Sequence, residues 1–345
     1  MPAKEHIIPV FVPHLGCPHN CVFCNQNSIT GEQKPATGRD VERIVEAALS
    51  GEVPENGYQI AFYGGSFTAI PASEQEELLS AAYSYVKKGV VKSIRLSTRP
   101  DAIDGEILTR LEKYGVTTVE LGVQSLDDTV LLKSGRGHSA QVVYSSSELI
   151  KKRGFRLIIQ MMTGLPGDTK EKSLATARKI ISIHPDGVRI YPTVIIKNTP
   201  LYELYLRGTY REHTVEEAVD WCAEIVPLFN SENIPIIRLG LNPTDDLSAG
   251  EAAAGAYHPA LGELVKSRIL YNRMSELLSD VPAGSDVKIT VGPRLISQAV
   301  GQHRKNISGL IEKYQLRSLR IISSGDDSSG PELTEFSAAQ LDSER

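Results

Sequence analysis

The sequence predicts an α/β protein: a partial (β/α)6 TIM-type barrel followed by a small α+β domain. Three observations carry this. Short β-branched and aromatic runs alternate with helix-patterned segments through the first two thirds of the 345 residues, the order that gives parallel strands joined by helices. Six such runs precede residue 192, too few to close an eight-stranded barrel. The charge also changes sign along the chain. Net charge is −5, yet residues 287–320 carry seven Lys/Arg against Glu312 alone, a local balance of +6. Such asymmetry marks either a binding module or one solvated face of a small domain.

The first run, Ile7-Ile8-Pro9-Val10-Phe11-Val12, leads into a cysteine-rich loop. Further strands are expected at Tyr58–Tyr63, Ser93–Ser97, Thr118–Leu121, Arg156–Met161 and Gly187–Tyr191. Helical patterns lie near 39–50, 72–88, 104–114, 139–153 and 169–183. An amphipathic helix over Thr214–Phe229 and a further strand over Ile234–Leu239 follow. These divide the chain into a core over 1–240, an extension loop and helix over 241–280, a small α+β unit over 281–322, and a loose acidic tail over 323–345. No apolar run approaches the ~20 residues needed to span a bilayer, and the N-terminus lacks a signal-peptide pattern. The expected location is the cytoplasm, with no membrane partner.

Three of the four cysteines, Cys17, Cys21 and Cys24, fall in one turn with the spacing Cys-x3-Cys-x2-Cys. Three thiolates on one loop suit a soft metal centre. A closed zinc or iron–sulfur site needs four; a 4Fe-4S cluster held by three leaves one iron open to a small molecule. A structural zinc completed by His14, His19 or Cys222, a disulfide with a free thiol, and coincidence are the competing readings. A leftover cysteine without a secretory signal disfavours the disulfide. Zinc sites usually add a second ligand pair further on, which this sequence lacks. Cys222 follows the sole tryptophan on a helical apolar pattern and reads as a buried small hydrophobe.

Polar or glycine-rich residues stand at several strand ends, where parallel α/β folds place their chemistry. They include Gly64-Gly65-Ser66, Ser97-Thr98, Glu120 and Gln124, Arg136, and Thr163-Gly164. Each alone could be an ordinary turn. Together with the cysteine loop they form a pattern.

The cysteine spacing, with Phe23 before the third cysteine, resembles the signature of the radical S-adenosylmethionine (SAM) superfamily. GGSFTAIP (64–71), STRPD (97–101), VELGVQSLDD (119–128), GRGHS (135–139), MMTGLPGD (161–168) and RIYPTVIIKNTPLYELYLRGTY (189–210) are similar, in order, to the radical SAM core of the Elongator catalytic subunit. More distantly they resemble oxygen-independent coproporphyrinogen oxidase. The resemblance implies an enzyme in which Cys17, Cys21 and Cys24 hold a 4Fe-4S cluster. SAM would chelate the open iron and be cleaved to an adenosyl radical. It implies that Gly64, Gly65 and Ser66 meet the methionine amino group and that Ser97 or Thr98 contacts ribose. Glu120, Gln124 and Arg136 would line the SAM pocket, Arg136 partnering the carboxylate, with Gly164 to Gly167 beside adenine. An electron donor such as flavodoxin or ferredoxin is implied too. The gap between the first two cysteines is shorter here than in that subunit. The chain is also expected to lack its acetyltransferase domain, so the carboxymethyl reaction does not carry over.

Tyr257 and His258, in a turn-rich stretch resembling the same subgroup's extension, are candidate catalytic residues; pinning a surface loop is the alternative. Residues 287–322 read strand, helix, a turn at Gly301-Gln302-His303-Arg304, helix, strand, and resemble the core of a KH domain. That resemblance implies RNA contacts from Gly301, His303, Arg304 and Lys305. Arg304 stands where a KH loop has its second glycine. The leading expectation is radical chemistry on RNA, notably tRNA. A radical SAM enzyme acting on a small molecule such as a tetrapyrrole, and a non-catalytic iron–sulfur RNA-binding protein, remain as alternatives. Oligomeric state is not legible.

Overall fold

The computed structural model describes residues 6–12, 21–24, 35–51, 54–241, 251–326 and 330–337. The chain divides into two compact units, Met1–Thr214 with Ile225–Tyr257, and Val215–Glu224 with His258–Arg345. No helix among the described residues is long and apolar enough to cross a membrane.

The first unit is built on a parallel sheet of seven strands. These are β1 (His6–Val12), β2 (Tyr58–Gly64), β3 (Val91–Thr98), β4 (Val116–Gln124), β5 (Arg156–Thr163), β6 (Gly187–Pro192) and β8 (Ile236–Leu239). They lie in sequence order, β1-β2-β3-β4-β5-β6-β8, the arrangement of an open, partial barrel. The expected seventh run therefore extends the sheet: Val188 of β6 pairs with Ile236 of β8. The intervening β7 (Val194–Ile196) pairs antiparallel with β9 (Ala252–Gly255) as a separate ribbon.

Helices α1 (Gly38–Leu49), α2 (Ala72–Lys87), α3 (Gly105–Lys113), α5 (Ala140–Lys152) and α6 (Lys170–Ile183) connect successive strands. The starts of three of them follow from side-chain caps. Thr37 and Asp40 form a reciprocal capping box on α1, and Asp104 and Thr169 cap α3 and α6, each cap satisfying an otherwise orphaned N–H. Two short helices escape the sequence reading, α4 (Asp128–Lys133) and α7 (Pro200–Leu206), because six or seven residues show too little periodicity. Asp127 caps the first; Thr199, with proline in the first turn, caps the second.

A parallel sheet covered on both faces reads as a continuous apolar run. These strands alternate instead. Ile60 and Phe62, Ile94 and Leu96, Val119 and Leu121, and Val188 and Ile190 are all fully buried on one face. The opposite face carries Gln59, Arg95, Glu120, Gln160 and Arg189, hydrogen-bonded from strand to strand. The barrel interior is polar.

The second unit contains the first residues of α8 (Val215–Ser231), then α9 (Leu261–Leu277), β10 (Asp286–Val291), α10 (Ile296–Val300), α11 (Lys305–Tyr314), β11 (Ser318–Ser323) and β12 (Glu332–Ser337). Its sheet order is β11-β10-β12, with β10 and β11 parallel. Two expectations change here. The helix placed in a separate extension belongs to this unit: Leu270, Met274 and Leu278 are buried with Val287, Ile289, Val291 and Leu310 in one core. The tail expected to be loose contributes a strand, since Glu332–Ser337 pairs antiparallel with β10. That strand is polar and largely exposed, so apolar patterning could not reveal it. Backbone pairing, the Lys288–Glu335 ion pair at 2.7 Å and the Thr290–Thr334 hydroxyl contact at 3.0 Å hold it.

Candidate functional site

A cleft opens at the C-terminal ends of β2, β3 and β4. It is lined by Cys21, Phe23, Cys24, Gly64, Gly65, Ser66, Ser97, Thr98, Arg99, Gly122, Gln124, Arg136 and Gln160. The parallel strands deliver their last residues to one edge, while the cysteine turn and Arg136 close over them.

The cysteine turn is pinned from both sides. Cys24 N donates to Cys21 O at 3.0 Å, Val22 N to Ser134 O at 3.1 Å, and Leu201 N to Val22 O at 2.8 Å. Val22 and Phe23 pack against buried Ile195, Leu201 and Tyr210. The short helices α4 and α7 thus fix the loop: Ser134 caps the end of α4, and Leu201 lies in the first turn of α7. Arg136 Nη1 donates to Cys21 Sγ at 3.2 Å, and Arg99 Nη1 reaches the same sulfur at 3.8 Å. Guanidinium donors aimed at sulfur are partners of the kind that tune cysteine-bound clusters. Cys17, His14 and His19 lie outside the described residues, among which no three His, Cys, Asp or Glu side chains converge as a metal site. Cys222 is fully buried in the second unit, and burial pushes its thiol up to about 12. It remains a protonated core residue.

Gly64 sits at φ 105° with its absent Cβ only 2.6 Å from Val12 O, and Gly65 N donates to that same carbonyl at 2.9 Å. Only glycine lets β2 leave the sheet so close to β1. Ser66 Oγ contacts Thr98 Oγ1 at 2.9 Å and accepts from Arg99 N at 3.1 Å. These two cleft hydroxyls therefore tie β2 to β3. Ser97 Oγ and Arg136 Nε, by contrast, are buried with no hydrogen-bond partner among the described residues. Gln124 holds φ 69° at a register shift between Gly122 and Gln124, a conformation costly for a side-chain-bearing residue and common where a strand re-aims a group at a ligand. An unspent hydroxyl, an unspent guanidinium N–H and a glycine wall fit a ligand carrying hydroxyls and a carboxylate.

Several expected site residues lie elsewhere. Glu120 does not line the cleft; it is wholly buried among Arg95, Arg189, Tyr63 and Gln160. Gly164 is also outside it: its carbonyl accepts from Tyr210 Oη at 2.5 Å, its N–H donates to Asp168 at 2.9 Å, and the His213 ring lies 2.3 Å from where its Cβ would stand. Tyr257, whose N–H donates to Gly255 O at 3.0 Å, ends the first unit and is not among the cleft's lining residues. His258 begins the longer segment of the second unit, where its Nδ1 accepts from Ala260 N at 3.1 Å. Gly301, His303, Arg304 and Lys305 form the turn between α10 and α11 in that unit. Phe23, Arg99, Gly122 and Gln160 line the cleft without having been anticipated. For Gln160 the signal was a lone polar residue inside an apolar run; for Arg99 it was adjacency to Thr98.

His138 is half-buried near this site. Burial, then the Arg136 cation, pulls it from 6.5 down to about 4, so its ring is neutral at pH 7. Nδ1 lies 3.2 Å from Ser139 O, which assigns the proton to Nδ1. The unfolded ring takes up a proton near 6.5, the folded one near 4. Stability from this group is complete above pH 6.5 and is lost as pH falls towards 4. His138→Gln is expected to flatten the acid decline of the urea midpoint by roughly 1–2 kcal/mol, allowing for solvent screening. An unaltered decline would contradict the assignment.

The family model described as "Radical SAM superfamily" matches residues 11–180, and that described as "Radical_SAM C-terminal domain" matches residues 185–270. Human Elongator complex protein 3 is 28% identical over 246 residues, covering 69% of this chain and 44% of its own length. The tRNA uridine(34) acetyltransferase of Methanocaldococcus infernus is 27% identical over 255 residues, covering 62% of this chain and 48% of its own length. The chain thus spans less than half the length of both relatives. The structure of Methanocaldococcus infernus Elp3 with an N-terminal deletion superposes with a TM-score of 0.60 at 22% identity, covering 79% of this chain and 63% of that one. That likeness is one of fold.

Proposed function

Because the chain belongs to the radical SAM superfamily of enzymes, we propose that Cys17, Cys21 and Cys24 hold a 4Fe-4S cluster and that the cleft beside them binds SAM. The observation that carries this reading is the cysteine turn, fastened by α4 and α7 at the mouth of a glycine-walled cleft with Arg136 against Cys21 Sγ. When bound, such a cluster supplies the electron that splits the sulfonium into methionine and an adenosyl radical able to take hydrogen from a substrate. The chain's own residues bind and orient. Gly64 and Gly65 admit the ligand's amino-acid end, Arg136 offers its unspent Nε–H to a carboxylate, and Ser97 and Gln124 face the nucleoside. Phe23 helps exclude water. The electron would come from a small carrier such as flavodoxin or ferredoxin.

The substrate class we propose is RNA, with tRNA foremost. Two of the relatives are named for tRNA uridine chemistry or for Elongator. In the second unit, Gly301, His303 and Arg304 all have positive φ, at 75°, 50° and 60°. Two non-glycine residues in that region cost of order 1–3 kcal/mol each, and the turn leaves His303, Arg304 and Lys305 exposed to solvent. Three donors on one projecting turn suit phosphate contacts.

Anaerobic reconstitution with iron and sulfide, followed by dithionite and SAM, is expected to yield 5′-deoxyadenosine by chromatography. Absence of that product from a cluster-loaded protein would refute the enzymatic reading. Arg304→Glu with Lys305→Glu should weaken tRNA binding at least about tenfold at low salt and flatten its salt dependence. Equal binding by wild type and variant would remove the turn from the argument.

A further inference from the structure

Among the described residues, the two most exposed large apolar side chains are Leu132 at 80% and Leu206 at 59%. Both stand on the short helices that fasten the cysteine turn, Leu132 on α4 and Leu206 at the end of α7. Leu132 comes two residues before Ser134, whose carbonyl accepts from Val22 N at 3.1 Å, and two residues span at most about 7 Å. Leu206 comes five residues after Leu201, which donates to Val22 O at 2.8 Å, and five helical residues rise about 8 Å. The apolar groups most open to water thus flank the loop that carries Cys21 and Cys24. The core does not use them: α4 buries Val130 and Leu131, and α7 buries Leu201.

Each leucine is followed by a cation. Lys133 ends α4 and Arg207 caps α7. Both are exposed, and neither makes an ion pair among the described residues. The stem of Lys133 lies against Gly167, whose absent Cβ would stand 2.7 Å from Lys133 Cδ, which limits the swing of its ammonium. The acids of α4 and its cap are spent: Asp127 holds Lys172 and the Val130 N–H, and Asp128 accepts from Ala140 N. On α7 only Glu203, in the first turn, is acidic. A cation at a helix C-terminus also suits the helix dipole, but that role asks nothing of the leucine beside it. One exposed leucine needs no explanation. Two, each with its cation, on the two supports of one loop are not scattered.

We propose that α4 and α7 form the docking surface for an acidic electron-carrier protein, which covers Leu132 and Leu206 and meets Lys133 and Arg207 with carboxylates. A phosphate backbone gives leucine nothing to bury against, so the apolar pair favours a protein over RNA. The unpaired cations favour an acidic face, which also speeds encounter. The place beside the cysteine turn favours a carrier, because an electron must be handed over at short range. Electron-transfer complexes are small, burying less than about 1,200 Å², with an apolar centre and a charged rim. Two short helices supply a surface of that kind. In each encounter the carrier would lose one electron and the proposed cluster would gain it, with no bond made or broken. That the docked protein is a carrier rests on the function proposed above. That α4 and α7 dock a protein rests on the exposed residues alone.

The test uses the full chain, reconstituted anaerobically, and two probes, a purified acidic flavodoxin and a purified acidic ferredoxin. Titration calorimetry with the oxidised carriers measures docking without any turnover. At least one should bind wild type, more weakly as salt rises. Leu132→Ser with Leu206→Ser should raise its Kd about tenfold or more, and so should Lys133→Glu with Arg207→Glu, which also flattens the salt dependence. Val90→Ser, an exposed apolar control just before β3, should leave Kd unchanged. Iron content and dithionite-driven 5′-deoxyadenosine should match wild type in every variant, while product driven by the reduced carrier falls with docking. Should the leucine pair lose its near-ultraviolet circular dichroism, the charge pair decides alone. A wild type that binds neither carrier overturns the proposal, as does an unchanged Kd in the charge pair. Loss of tRNA binding with carrier binding intact also overturns it, giving the surface to RNA. So does a wild-type dimer that the leucine pair dissociates without changing carrier binding. A cluster-loaded protein that docks the carrier yet makes no 5′-deoxyadenosine with dithionite refutes the function and not this surface.

Discussion

Cys24→Ser protein, reconstituted anaerobically, is expected to hold less than about a tenth of the wild-type iron and to form no detectable 5′-deoxyadenosine, since an iron–sulfur cluster depends on its thiolate ligands. With Cys24 gone, two thiols remain on the loop, and Cys222 cannot substitute: it is fully buried, and its thiol is held protonated. Cys222→Ala is the matched control and should keep full iron content. The turn itself should survive the change, because Val22 within it is fastened by backbone bonds to Ser134 and Leu201, which the substitution leaves in place. Loss of iron with unaltered near-ultraviolet circular dichroism would therefore be a ligand effect. A Cys24→Ser protein with full iron–sulfur absorbance would end the cluster assignment, and so would stoichiometric zinc in anaerobically purified wild type.

How much of this was legible beforehand differs by level. The strand runs and the cysteine spacing are local patterns, so the parallel sheet and the cysteine turn beside the cleft could be read from residues such as Val10, Ile60 and Cys21. The glycine pair at Gly64 was legible for the same reason: a position 2.6 Å from Val12 O admits no Cβ. Glu120 misled because strand-end position says nothing of partners. Two strands away Arg189, and one strand away Arg95, capture the carboxylate before it can face a ligand. Gly164 misled similarly, its φ of 76° serving the contact with His213 and Tyr210. The helices α4 and α7 that seat the cysteine turn were too short for periodicity to show. Polar Glu332–Ser337 became a strand through pairing with β10, a non-local event.

Glu120→Gln is expected to destabilise the first unit by about 3–5 kcal/mol, the range seen when one partner of a buried ion pair is removed. The substitution keeps the shape of the side chain, so packing barely changes. What changes is charge: Arg95 and Arg189 are left facing each other across an amide, with their shared carboxylate gone. Against a typical total of about 5–15 kcal/mol, the variant should unfold at a much lower urea concentration. Arg95→Met makes the opposite change. It leaves Glu120 with Arg189 alone, a balanced pair still bonded to Tyr63 and Gln160, and Met roughly fills the space. Because Arg189 still holds Glu120 through Nε at 2.9 Å and Nη2 at 3.1 Å, Arg95→Met is expected to cost clearly less than Glu120→Gln, by about 2 kcal/mol or more on the same scale. Urea midpoints with matched m-values measure the order directly. The reverse order, with Arg95→Met the more damaging, would mean that Arg95 and not Arg189 is the partner on which Glu120 chiefly depends.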